Sequence, residues 1–127
     1  MVDVLADTIN KIKGYEGTGR YECIVPSTKL IRAVLETMKK NNYIADYQEF
    51  KDGKFSRVKV TMAKKINDIG VIKPRYPVTV ADYQKFEQRF IPSANFGILI
   101  VSTSKGIVTN KEAKTQNLGG RLIAYVY

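Results

Sequence analysis

Ser102 and Lys105 stand three residues apart in the run Ser102-Thr103-Ser104-Lys105. At that spacing a lysine can serve a serine nucleophile, but only when it lies one helical turn after the serine and further motifs complete the site. Here Gly106 and the β-formers Ile107 and Val108 follow at once, and no helix is expected before Thr109. The chain, at 127 residues, is also far shorter than enzymes of that kind. Histidine is absent, which removes the commonest general base and the commonest metal ligand. One cysteine, Cys23, leaves no ordinary zinc site, thiol–imidazole pair or internal disulfide. The residues therefore argue against an enzyme, and they suggest no metal, no cofactor and no small-molecule substrate.

The same hydroxyls suit a different chemistry. Short hydroxyl side chains donate and accept hydrogen bonds and tolerate close approach. An RNA helix hides its bases in a deep major groove and displays 2′-hydroxyls and base edges in a wide minor groove. Ser102, Thr103 and Ser104 on a protruding loop fit that surface, and Lys105 can meet a phosphate. The alternative is an ordinary polar turn. Ser27, Thr28 and Lys29 follow Pro26 at the expected start of a helix, where free N–H groups favour an anion. Ser27 reads there as the N-cap. Lys73, Arg75 and Tyr76 pair two cations with a ring, either for phosphate and base or as a charged strand edge. Gly119-Gly120 allows close backbone approach, to RNA or to a neighbouring strand.

Charge favours nucleic acid as the partner. The net charge is +9; residues 1–65 carry +5 and residues 66–127 carry +4, so the excess is not a tail. No apolar run approaches the length of a membrane span, and no charged start leads into an apolar segment, so neither membrane nor secretory signal is expected.

The elements that position these residues follow from periodicity. Asp3 to Lys13 reads as a helix with Leu5, Ile9 and Ile12 on one stripe, flanked by Lys11 and Lys13. Gly14 to Arg20 reads as a loop and Tyr21 to Val25 as a strand. A helix then runs to about Lys40, and Tyr43–Phe50 and Phe55–Met62 form a hairpin around Asp52-Gly53. Residues 1–63 thus make an αβαββ lobe, and 64–70 read as a linker. Residues 71–127 make a second lobe, mostly β. It begins with a strand over Val71–Val80 broken by Pro74 and Pro77, followed by a helix over Ala81–Phe90 whose Tyr83, Phe86 and Phe90 read as core. Pro92 to Gly97 leads into a strand, Ile98 to Val101, buried on both faces. A short helix capped by Thr109, with Glu112 reaching back, precedes a last strand over Leu122–Tyr127. The fold class is α+β in two small lobes.

Ser102-Thr103-Ser104-Lys105-Gly106-Ile107-Val108-Thr109, Glu112-Ala113 and the terminal Gly119-Gly120-Arg121-Leu122-Ile123-Ala124-Tyr125-Val126-Tyr127 together resemble the small ribosomal subunit protein eight family. Ile72-Lys73-Pro74-Arg75-Tyr76 and Phe90 to Gly97 look like its archaeal and eukaryotic branch. The resemblance covers essentially the whole chain. It implies a structural protein of the ribosome, in the cytoplasm, whose hydroxyl loop meets the minor groove of a helix in the central domain of small-subunit rRNA. It implies a second contact at Ser27-Thr28-Lys29 and a basic-Ile-basic triplet, Lys11-Ile12-Lys13, facing RNA. Neighbouring small-subunit proteins are implied as partners. Bacterial relatives carry Glu where this chain has Arg121, which suggests a phosphate contact there. A basic RNA or DNA binder outside the ribosome is the alternative that composition leaves open.

Overall fold

The computed structural model describes residues 4–73, 75–92 and 96–127. Its first helix, α1, spans Val4–Gly17 and buries the stripe Leu5, Ile9 and Ile12. It runs through Gly14, into the segment expected as loop. Gly14 faces open space and costs the helix only its backbone entropy. The ring of Tyr15 lies under Lys11 and Arg20, at 5.7 and 5.1 Å, and favours the extra turn. The stop comes at Gly19, φ +77°, where the amides of Gly19 and Arg20 bond back to the carbonyls of Glu16 and Tyr15. That left-handed closure favours glycine.

The rest of this unit is β1 (Glu22–Pro26), α2 (Lys29–Lys40), β2 (Ile44–Asp52) and β3 (Phe55–Met62), in the expected αβαββ order. The strands run antiparallel in the order β1-β3-β2. Cys23, Val25, Val58, Val60 and Met62 are buried with Ile31, Val34, Leu35 and Met38 of α2. Asp52 lies opposite Phe55, so the turn is Gly53-Lys54, and Gly53 at φ +66° supplies the positive φ it needs.

Thr28, not Ser27, caps α2. Its hydroxyl accepts from the Ile31 amide at 3.1 Å. Ser27 still belongs to the strand edge, its amide bonded to the Ser56 carbonyl at 3.1 Å.

The chain divides into two compact units, Met1–Ile66 and Asn67–Tyr127. Within the stretch 64–70, Ile69 and Gly70 already pair with Val126 and Tyr125. The amides of Asn67 and Asp68 also bond the Tyr127 carbonyl.

The second unit contains β4 (Ile69–Val71), β5 (Pro77–Val78), a 3₁₀ turn (Val80–Asp82), α3 (Tyr83–Phe90), β6 (Ile98–Thr103), β7 (Gly106–Thr109), α4 (Asn110–Thr115) and β8 (Gly120–Val126). The sheet order is β4-β8-β6-β7, with β5 also on β8. The broken strand expected over Val71–Val80 is two short pieces that both pair with β8, because prolines interrupt the ladder. Pro74 and residues 93–95 lie outside the described residues.

β6 is buried on both faces, with Ile98 to Val101 at most 3% exposed. Tyr83 and Phe86 pack in its core with Leu99, Val101 and Leu122, and Phe90 packs against them. Thr109 caps α4 by accepting from the Glu112 amide at 3.2 Å. β8 starts two residues before Leu122, since Gly120 and Arg121 already pair with Val78 and Pro77. Under α3, the buried carboxylate of Glu87 accepts from the Asn110 amide group and from Lys114 Nζ at 2.7 Å. Asn110 in turn accepts from the Leu99 amide at 3.0 Å. This polar cluster ties α3, α4 and β6 together.

Candidate nucleic-acid interface

β6 carries the hydroxyl run to the edge of the second unit. Ser102 and Thr103 are still strand, paired with Ile107 and Gly106, so the expected four-residue loop is a turn of only Ser104 and Lys105. The Thr103 hydroxyl donates to the Gly106 carbonyl at 2.8 Å and accepts from the Lys105 amide at 3.2 Å. Thr103 therefore locks the turn, and Gly106 at φ +111° lets the chain return. Ser102, Ser104 and Lys105 are exposed. The Ser104 hydroxyl has no hydrogen-bond partner among the described residues. Ser102 and Lys105 lie on a strand end and a turn, so no helix sets them up as nucleophile and base.

On its other edge Ser102 pairs with Arg121 of β8. Residues directly opposite in an antiparallel pair share a face, which puts a cation beside the hydroxyl. A Cβ on Gly120 would lie 2.2 Å from the Ser102 carbonyl oxygen, and one on Gly119 would lie 2.6 Å from that of Val78. The glycine pair thus serves the close approach of β8 to β6 and β5. Arg121 is exposed and also pairs with Pro77. The Leu122 amide donates to the Tyr76 carbonyl at 3.0 Å, so the Arg75-Tyr76 backbone runs beside Arg121.

Tyr76 is half-buried. Its ring stacks on Phe86, centroids 5.5 Å apart, and the Arg89 guanidinium lies 5.4 Å from the ring centre. Lys73 and Arg75 are exposed. Arg89, which also lies 5.2 Å from the Phe90 ring centre, had no signal in the sequence beyond its place among the aromatics of α3.

The first unit holds the remaining candidates. Lys29 is exposed at the first position of α2, beside the Thr28 cap. Ser27 is less available, since its hydroxyl donates to the Glu49 carboxylate and accepts from Arg32 at 2.8 Å. Arg32 completes a triangle, 2.7 Å from Glu49. The Ser27 hydrogen bond, with Arg32 beside it, holds the Glu49 carboxyl below the usual carboxylate range. Nothing in the sequence joined these three, because strand β2 and helix α2 bring them together only in three dimensions. Lys11 donates to the Ile24 carbonyl at 2.5 Å, and Lys13 is exposed on the last part of α1.

Among the described residues, no group of three or more His, Cys, Asp or Glu side chains is placed to hold a metal ion. No described helix is long and apolar enough to cross a membrane.

The family model described as "Ribosomal protein S8" matches residues 3–127, nearly the full chain. The chain belongs to the ribosomal protein S8 family. Members of the S8 family are structural ribosomal proteins, and the family is not one of enzymes. They bind small-subunit rRNA and neighbouring ribosomal proteins in the cytoplasmic ribosome. The exposed basic and hydroxyl-bearing side chains described above therefore stand on an rRNA-binding S8 protein.

Proposed function

We propose that this S8 protein, of the archaeal and eukaryotic type, binds a helix in the central domain of small-subunit rRNA and works by binding, with no chemical step. The tip Ser104-Lys105, with Ser102 beneath it, enters the minor groove. Arg121, Arg75 and Lys73 meet phosphate along the same edge, and the exposed part of Tyr76 meets a sugar beside them. Gly119 and Gly120 contribute through the strand approach that sets Arg121 and Ser102 side by side. In the first unit Lys29, beside the Thr28 cap, offers an anion site at the start of α2 to which Ser27, held by Glu49 and Arg32, adds no free donor, and Lys11 and Lys13 add to the basic face of α1.

One observation carries the reading: an exposed serine and lysine form a two-residue turn on the end of a strand that is buried from Ile98 to Val101. A tip so short and so rigidly mounted can enter a shallow groove without first being ordered. The test is a comparison of duplexes. Only RNA presents 2′-hydroxyls in a wide minor groove, so an RNA hairpin from the central domain should bind more tightly than DNA of the same sequence. Equal affinity for the two duplexes overturns the minor-groove reading, and a footprint on purified small-subunit rRNA locates the helix.

A further inference from the structure

The three-stranded sheet of the first unit has one face covered and one open. Side chains opposite one another across an antiparallel ladder share a face, as do residues two apart on one strand. Phe50 lies opposite Arg57, Phe55 opposite Asp52, and Gln48 opposite Lys59. On the far side Pro26 pairs with Arg57 and Ile24 with Lys59. These residues point away from Val58 and Val60, which are buried. The open face therefore carries Phe55, 70% exposed, with Phe50 and Ile24 also exposed, among Arg57 and Lys59. Two shallow hollows indent it. One, of about 450 Å³, is lined by Pro26, Ser27, Lys54, Phe55, Ser56 and Arg57. The other, of about 310 Å³, is lined by Gln48, Phe50 and Lys59.

Both hollows place a phenylalanine ring beside positive charge, Lys54 and Arg57 in the first and Lys59 in the second. We infer that this face is a second RNA contact that takes unpaired nucleotides, with one base on Phe55 and a neighbouring base on Phe50, and with Lys54, Arg57 and Lys59 at the phosphates. The charge favours RNA over a protein partner: the residues that line the two hollows include three cations, Lys54, Arg57 and Lys59, and no acid. Arg57 is paired with Asp52 and Lys59 with Glu22, at 3.2 and 3.1 Å, but all four side chains are substantially exposed. Such pairs are weak, so a phosphate can compete for the cations. The ligand is single-stranded because a duplex already stacks its bases, leaving an exposed ring nothing to stack on. Rings beside cations on an open sheet are how unpaired bases are held. This inference rests on membership in an rRNA-binding family and is independent of the hairpin tip at Ser104.

The chain contains no tryptophan, so Phe55→Trp places a unique fluorophore on the face. In the full chain, a short oligouridylate should quench it saturably. Phe55→Leu and Phe50→Leu should each weaken oligouridylate binding by roughly five- to 150-fold, the span of one lost base–aromatic stack. Both should leave the binding of a central-domain RNA hairpin to the Ser104 tip unchanged. Phe55 is mostly in solvent, and matched melting curves verify that the variants fold. Absence of quenching, or unchanged oligouridylate affinity in both leucine variants, overturns the inference. A tryptophan signal that depends on protein concentration without RNA, and that oligouridylate does not displace, also overturns it, since the face then docks protein. Ser104→Ala binding the hairpin like wild type, with quenching at Phe55 intact, would fault the groove reading alone.

Discussion

The backbone of Gly120 passes so close to that of Ser102 that a Cβ on the glycine would lie 2.2 Å from the Ser102 carbonyl oxygen. Neither atom can yield cheaply, because both belong to paired strands, β8 and β6. Gly120→Ala must therefore push β8 off β6 at the point where Ser102 and Arg121 stand opposite each other. Overpacking of this kind costs about 1–3 kcal/mol. Thermal melts should show the loss, and RNA affinity should fall with it because the hydroxyl and the cation separate. A Gly120→Ala protein that melts and binds like wild type would show that the strands accommodate a methyl here.

Glu87 is 2% exposed, and its partner Lys114 reaches out to water. That asymmetry sets an order of effects. Lys114→Ala leaves a buried carboxylate with only Asn110 for company, and breaking a buried pair from that side costs about 3–5 kcal/mol. Glu87→Gln keeps an acceptor for Asn110 and lets Lys114 turn to solvent, so it should cost less, about 1–2 kcal/mol. Denaturant melts of the two variants test the order. Glu87→Gln proving the more damaging would mean that the lysine, and not the carboxylate, is the group the fold must neutralise.

Much of the architecture was legible because it rests on periodicity. The stripe Leu5, Ile9, Ile12, the apolar run Ile98 to Val101 and the alternation of Val58, Val60 and Met62 each commit a segment to one geometry. What escaped depends on contacts distant in sequence. Gly14 is a local loop signal, but the Tyr15 ring with its two cations and the closure at Gly19 carry α1 through it. Ser27 and Thr28 are equally good caps by type, and only the bond from Ser27 to Ser56 on β3 decides for Thr28. The hydroxyl run stands out in the sequence by residue type, but its four residues divide between strand and turn, which depends on the register with Ile107 and Gly106. Phe55 was readable too: the alternation that buries Val58 puts residues 55, 57 and 59 on the wet face, ring included.

Acid should weaken the first unit through Glu49. Its folded carboxyl titrates below the usual range, chiefly because Ser27 donates to it and Arg32 lies beside it. A carboxyl with a depressed folded pKa contributes stability that is full above the unfolded value, near about 4.3, and is lost as pH falls through the folded one. Asp46 beside Lys39 and Asp82 bonded by the Thr79 amide shift the same way. The melting temperature should hold from neutral pH to about 5 and fall below about 4. Glu49→Gln should melt below wild type at neutral pH and converge with it in acid. A gap that stayed constant down to the acid limit would mean that the carboxylate charge plays no part.

The three polar residues at the end of β6 should separate by role. Thr103 spends its hydroxyl on the turn, bonded to Gly106 and Lys105, so Thr103→Val should lower the melting temperature and weaken RNA binding together. Ser104 has no such duty, so Ser104→Ala should leave the melt unchanged. If its hydroxyl meets RNA, the partner left unpaired costs about 1–3 kcal/mol, or roughly one to two powers of ten in affinity. That loss should persist in high salt, because a neutral hydrogen bond releases no counterion. Lys105→Ala should behave in the opposite way, losing affinity mainly in low salt and flattening the slope of log K against log salt by roughly one unit if it neutralises one phosphate. Titrations of one rRNA fragment at low and high salt, with melts alongside, separate the three. If Ser104→Ala binds normally but melts several degrees lower, the serine is a structural part of the turn, and the RNA contact of this edge passes to Lys105 and Arg121.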